Sequence, residues 1–130
     1  MIYEVVSRRI QVDNKGNDRS VTEKYLINNC MLCSEAEEKI LGYFNNENDC
    51  ISVKVANLSE FINNRGDEDD SIYFSSIETY CEGTKAASYT LGVFACSVED
   101  ATEKTNEFLK QGMDDYVIVS VKRTRYVEFL

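Results

Sequence analysis

Arg8, Arg9, Lys24, Lys54, Lys122, Arg123 and Arg125, with Tyr3, Tyr73, Tyr116 and Tyr126, are the residues of this chain best suited to act as a set. Cations neutralise phosphates and tyrosine rings stack on bases. Sequence-neutral binding of single-stranded nucleic acid uses that combination. Lys54 and Lys122 both follow a Ser-Val pair, so a symmetric track of charge is conceivable. Lys, Arg and Tyr also suit an exposed pleat with no ligand at all, and that plainer reading stands beside the first. The expected nucleic-acid-binding residues are Arg8, Arg9, Lys24, Lys54, Tyr73, Lys122, Arg123, Arg125 and Tyr126.

Other chemistries find less support. Cys30-Met31-Leu32-Cys33 is a lone C-x-x-C before an expected helix start, where the helix dipole lowers a thiol pKa. Two small buried thiols at a hydrophobic strand end account for it better. The chain has no histidine and no second C-x-x-C, so a tetrahedral zinc set is not expected. Glu37, Glu38, Glu99, Asp100 and Glu103 sit at helical spacing on polar faces, where solvated charge and a favourable dipole explain them. There is no phosphate-binding glycine loop, no nucleophile elbow and no histidine-dependent triad. The expectation is a binding protein without enzymatic activity, metal or cofactor.

The chain carries 23 acids against 14 bases, a formal charge of −9. That balance disfavours non-specific attraction to nucleic acid or to anionic membranes. The average hides a pattern: residues 117–127 hold Lys122, Arg123 and Arg125 and no acid, whereas Asp67-Glu68-Asp69-Asp70 and the expected helices are acidic. Dense carboxylates support a rival reading, an acidic interaction module that imitates DNA toward a host factor or inhibits that factor. Five cysteines without a spaced framework read as reduced thiols. With no long apolar run and no leader pattern, a cytoplasmic protein is expected.

These side chains need elements to place them, and the chain states its plan twice. Ile51-Ser52-Val53-Lys54 followed by Glu60-Phe61-Ile62 matches Val119-Ser120-Val121-Lys122 followed by Glu128-Phe129-Leu130 at one constant offset. Cys33-Ser34 and Cys96-Ser97 each open an acidic amphipathic segment. Strands are expected over 2–12, 20–32, 50–58, 71–80, 85–95 and 116–129 from β-branched, alternating composition. Ile51, Val53 and Val55 should share one side, as should Val117, Val119 and Val121. Ser34 is expected to cap the first helix in a Ser-x-x-Glu box, and Ser97 the second. The expected fold is α+β: two tandem β-β-α-β repeats, 1–62 and 71–130, forming one pseudo-two-fold domain. Its antiparallel sheet carries helices on one face and leaves the other free. The polar run 63–70 is expected to be a mobile linker. Long strands without proline leave edge amides that invite a homodimer.

Val21-Thr22-Glu23-Lys24-Tyr25-Leu26-Ile27 followed by Ser34-Glu35-Ala36-Glu37, and Asp114-Asp115-Tyr116-Val117-Ile118-Val119-Ser120-Val121, resemble a family of small uncharacterised proteins. Its members come from gut Bacteroidota and their tailed phages, including crAss-like phages, and the resemblance covers nearly the whole chain. The sequence departs from the pattern at Asn28-Asn29 and at Cys30 to Cys33, where the family has an acidic residue and a Phe before the helix. The resemblance carries over no catalytic residue. It implies a role near phage DNA replication, such as binding single strands.

Overall fold

The computed structural model describes residues 1–112 and 115–130. Asp114, the first residue of the second resembling segment, lies outside them. Among the described residues the architecture is α+β, with eight strands in two four-stranded sheets and two helices. The expected single sheet is therefore two. The chain divides into two compact units. The first is Met1–Ala56 with Arg125–Leu130, and the second is Asn57–Thr124.

In the first unit, β1 (Tyr3–Val12) and β2 (Asp18–Ile27) form a hairpin, followed by α1 (Cys33–Tyr43) and β3 (Asn48–Val55). The hairpin turn is built by Asp13, whose Oδ1 accepts from the Lys15 and Asn17 amides at 2.9 Å each. Gly16 takes φ 77°, which a Cβ disfavours. β2 stops at Ile27, short of the expected 32, because Asn29 turns the chain with φ 60°. The sheet order is β3-β1-β2-β8, where β8 is Tyr126–Phe129. β1 pairs antiparallel with both β2 and β3, and β8 adds in parallel to β2. Under α1 lies a core of Tyr3, Val5, Tyr25, Ile27, Cys30, Ala36 and Ile40.

In the second unit, β5 (Ser71–Cys81) and β6 (Thr84–Ala95) form the hairpin, followed by α2 (Val98–Leu109) and β7 (Asp115–Arg123). Glu82 and Gly83 both take positive φ, the signature of a two-residue primed turn. The sheet order is β4-β6-β5-β7, and the short β4 (Glu60–Ile62) adds in parallel to β6. Strand order and directions are those of the first sheet. β4 packs so closely that a Cβ on Gly92 would lie 2.5 Å from the Phe61 ring. Phe61 in turn meets Phe94 edge-on at 5.2 Å. Thr105, buried in α2, hydrogen-bonds the buried Ser75 hydroxyl at 2.9 Å and donates to the Ala101 carbonyl.

The expected strand 50–58 ends at Val55 as β3, and a separate short strand, β4, starts beyond it at Glu60. The expected strand 116–129 breaks at Thr124-Arg125 into β7 and β8. In both places the second piece joins the sheet of the other unit. Bulges also overturn the expected alternation. The register slips between Val6 and Ser7, leaving Ile51 opposite no residue. It slips between Ser76 and Ile77, leaving Val119 likewise. An extra residue shifts the side-chain phase by one. Cys50 and Val53 therefore both turn to the α1 side, while Ile51 is exposed. In β7, Ile118 and Val121 pack on the α2 side while Val117 and Val119 are exposed.

The segment 63–70 makes specific contacts at its C-terminal end. Asp70 Oδ2 accepts from the Gly66 amide at 2.9 Å and the Asp67 amide at 3.2 Å, closing a turn. Lys104 of α2 lies 3.6 Å from Asp70 and 3.4 Å from Asp100. Its ammonium also donates to the Phe94 and Asn64 carbonyls. Arg65 sits over the Phe94 ring at 4.1 Å. The run is polar, and Asp70 ties its Gly66 and Asp67 amides to Lys104.

The helix starts differ. Ser97 caps α2 as expected, its Oγ accepting from the Asp100 amide at 3.1 Å. α1 has Leu32 at its N-cap and no side-chain cap, with Ser34 already inside the helix. Glu35 reaches back instead, accepting from the Met31 amide at 3.2 Å.

Candidate nucleic-acid interface

Register places the first unit's bases on two faces. Lys54 lies opposite Glu4, and Lys24 opposite Val6, on the side of the sheet away from α1. Lys24 Nζ is 3.4 Å and Lys54 Nζ 3.5 Å from the Glu4 carboxylate. Tyr126 donates its hydroxyl to the same carboxylate. Its pKa is raised, first by burial and then by the Glu4 charge. Three of the expected binding residues thus converge on an acid that charge patterning alone did not single out. The available signal was Glu4 itself: a carboxylate between Tyr3 and Val5, in a strand otherwise facing apolar neighbours, needs cations across the sheet. Lys24 and Lys54 still expose half or more of their side chains.

Arg8 shares that face and pairs with Asp49 at 3.3 Å, both well exposed. Arg9 points to the α1 side. It bonds Glu23 at 2.9 Å and lies 5.5 Å from the Phe44 ring centre. Both arginines border an open cleft of about 540 Å³ with Ser20, Asn46, Asn48 and Asp49. Asn48, a second residue the sequence reading missed, donates to the buried Ser7 hydroxyl at 2.6 Å. The face away from α1 is not bare as expected, because Glu4 and Leu26 on it are buried.

In the second unit Tyr73 is in the core with Val93, Ala95 and Ala101. At 5% exposure it has no free ring face, which removes it from any stacking role. The sheet side opposite α2 is covered too at Ile72 and Phe94. Lys122 and Arg123, opposite Phe74 and Tyr73 at the end of β7, are exposed. Arg125, the first residue of the first unit's second segment, is exposed as well. Among the described residues none of these three makes an ion pair. Tyr116, one of the four tyrosines considered, donates to Asn106 at 2.9 Å and packs beside the α2 core.

The remaining constellations separate. Cys30 is buried and Cys33 exposed. Among the described residues no group of three or more acids or cysteines is placed to hold a metal. Asp100 is tied to the helix start, where the Cys96 amide holds its carboxyl below the usual range, aided by Lys104. Glu99, Glu103 and Glu107 remain as an exposed row at four-residue spacing along α2. No described helix is long and apolar enough to cross a membrane.

No curated protein and no solved structure matches the chain. One family model matches residues 2–130, all but the first residue. The chain therefore belongs to the family described as Domain of unknown function (DUF4494).

Proposed function

We propose that the chain is a non-enzymatic binding protein of phage or mobile-element type, working in the cytoplasm, and that its ligand is single-stranded nucleic acid. The observation that carries this reading is the contrast among the bases. Arg8, Arg9, Lys24 and Lys54 are engaged by carboxylates, whereas Lys122, Arg123 and Arg125 are exposed and unpaired among the described residues. Three cations within four residues, in a chain of formal charge −9, are free to neutralise phosphates. Lys24 and Lys54 add a lesser contribution, since together they exceed Glu4 by one charge. We further read the two units as repeats of one β-β-α-β plan. Their shared strand order and matching bulges support this.

Binding of a labelled oligonucleotide tests the ligand. Three phosphate contacts on a single strand give a log–log salt slope of about −2, or roughly 20-fold weakening between ~50 and ~200 mM salt. Lys122→Glu, Arg123→Glu and Arg125→Glu together should abolish binding, while Glu99→Lys and Glu103→Lys should leave it intact. No binding at ~50 mM salt refutes the reading.

The row Glu99, Glu103 and Glu107 favours a second reading, an acidic module that mimics DNA toward a host protein. Like charges at this spacing cost a helix a few tenths of a kcal/mol per pair, a cost that a cationic partner would offset. In that case the Glu→Lys changes, not the Lys and Arg changes, should abolish capture of the partner.

A further inference from the structure

We propose that the β2 edge of the first unit is a strand-acceptor site, and that a second copy of this chain can fill it with its own Tyr126–Leu130, so that copies associate by reciprocal exchange of β8. The acceptor is well defined. Among the described residues β8 pairs only with β2, in parallel, and sits at the edge of the sheet. The Leu130 amide donates to the Leu26 carbonyl at 2.8 Å, and the Asn28 amide to the Leu130 carbonyl at 2.9 Å. Leu130 packs on the α1 core, and Tyr126 is held by Glu4. Residues 1–56 thus form a sheet that β8 completes from a distant part of the sequence.

The connection makes exchange possible. β8 follows β7 after only Thr124 and Arg125, and β7 belongs to the other compact unit. The hinge is pinned on that side, where the Thr124 amide and hydroxyl both donate to the Ile72 carbonyl, at 2.9 and 2.7 Å. No glycine or proline lies between Asp115 and Leu130, so nothing in the sequence enforces the break. Local preference over 116–129 is for one continuous strand. Short hinges of this kind invite domain swapping, because the opened form makes the same contacts with a second copy that the closed form makes within one. At the opposite edges of the two sheets, β3 and β7 are less suited to association, since bulges at Ile51 and Val119 interrupt their ladders.

A short tether gives β8 an effective concentration in the millimolar range at its own acceptor. Exchange should therefore be scarce at micromolar protein and substantial when the full chain is refolded from urea at about 1 mM. Differently isotope-labelled copies refolded together should then give a dimer with intermolecular contacts between Phe129 of one copy and Leu26 of the other. Inserting four Gly/Ser residues between Thr124 and Arg125 should abolish the dimer and leave a folded monomer. A chain that stays monomeric at 1 mM after refolding overturns the proposal. So does a dimer whose Phe129–Leu26 contacts are all intramolecular, or one that persists with the lengthened hinge.

Discussion

Replacing Lys104 by methionine should destabilise the chain more than any single surface charge change. The stem survives in Lys104→Met, but the ammonium that links Asp70, Asp100 and the carbonyls of Phe94 and Asn64 is lost. Asp100 matters little here, because its side chain is 28% exposed and an exposed pair contributes about 0–1 kcal/mol. Asp70 dominates, with a side chain only 3% exposed. Removing one partner of a buried pair costs about 3–5 kcal/mol. Asp70 keeps the Gly66 and Asp67 amides, so the lower end applies, and we expect about 3 kcal/mol. Urea denaturation should report this as a lower midpoint at unchanged slope. Hydrogen exchange at Gly66 and Asp67 should accelerate in the same variant. Asp70→Asn alone should cost less, and the double variant should be less than additive by about 1–2 kcal/mol. A loss below about 0.5 kcal/mol for Lys104→Met, or full additivity, would refute the claim that this lysine anchors residues 63–70.

Ser97→Ala should cost about 1 kcal/mol through the lost cap, and Ser34→Ala should stay within about 0.5 kcal/mol despite the similar local sequence; paired thermal melts check the contrast. Burial lifts the Tyr25 hydroxyl to about 12, with Glu23 adding to the shift. A raised pKa favours the protonated, folded form, so this stabilisation is complete below the ordinary value of 10.0 and is lost as pH rises from there through about 12. Spectrophotometric titration should show a late component from Tyr25 that vanishes in Tyr25→Phe while that of Tyr126 remains, and the variant should lose less stability between pH 10 and 12.

The α+β class and most strands and helices were legible, because local periodicity is encoded within a few residues. What escaped the sequence was decided between strands. Nothing in Ile51 or Val119 announces a bulge, yet each reverses which neighbours face the helix. Thr124-Arg125 carries no turn residue, so the break between β7 and β8 arises from pairing with different sheets. The bases of the candidate interface were visible as types, but Tyr73 was not visible as core. Tyr73 and Tyr126 hold similar places in apolar strands and differ only in what packs on them.

The return of β8 to β2 also sets an order of events as the chain folds. The second unit is one continuous stretch, Asn57–Thr124, and its hairpin, helix and strands can meet through short loops. The first unit pairs Lys24 with Tyr126, a closure over about a hundred residues. Compared with the five-residue hairpin loop between β1 and β2, that costs about 2.6 kcal/mol more in chain entropy. Folding of residues 57–124 brings the ends of that long loop under constraint and removes much of this penalty. On the ribosome β2 must therefore wait with an unpaired edge until Tyr126–Phe129 emerge, and that interval is when this edge is most exposed to pairing with the wrong neighbour.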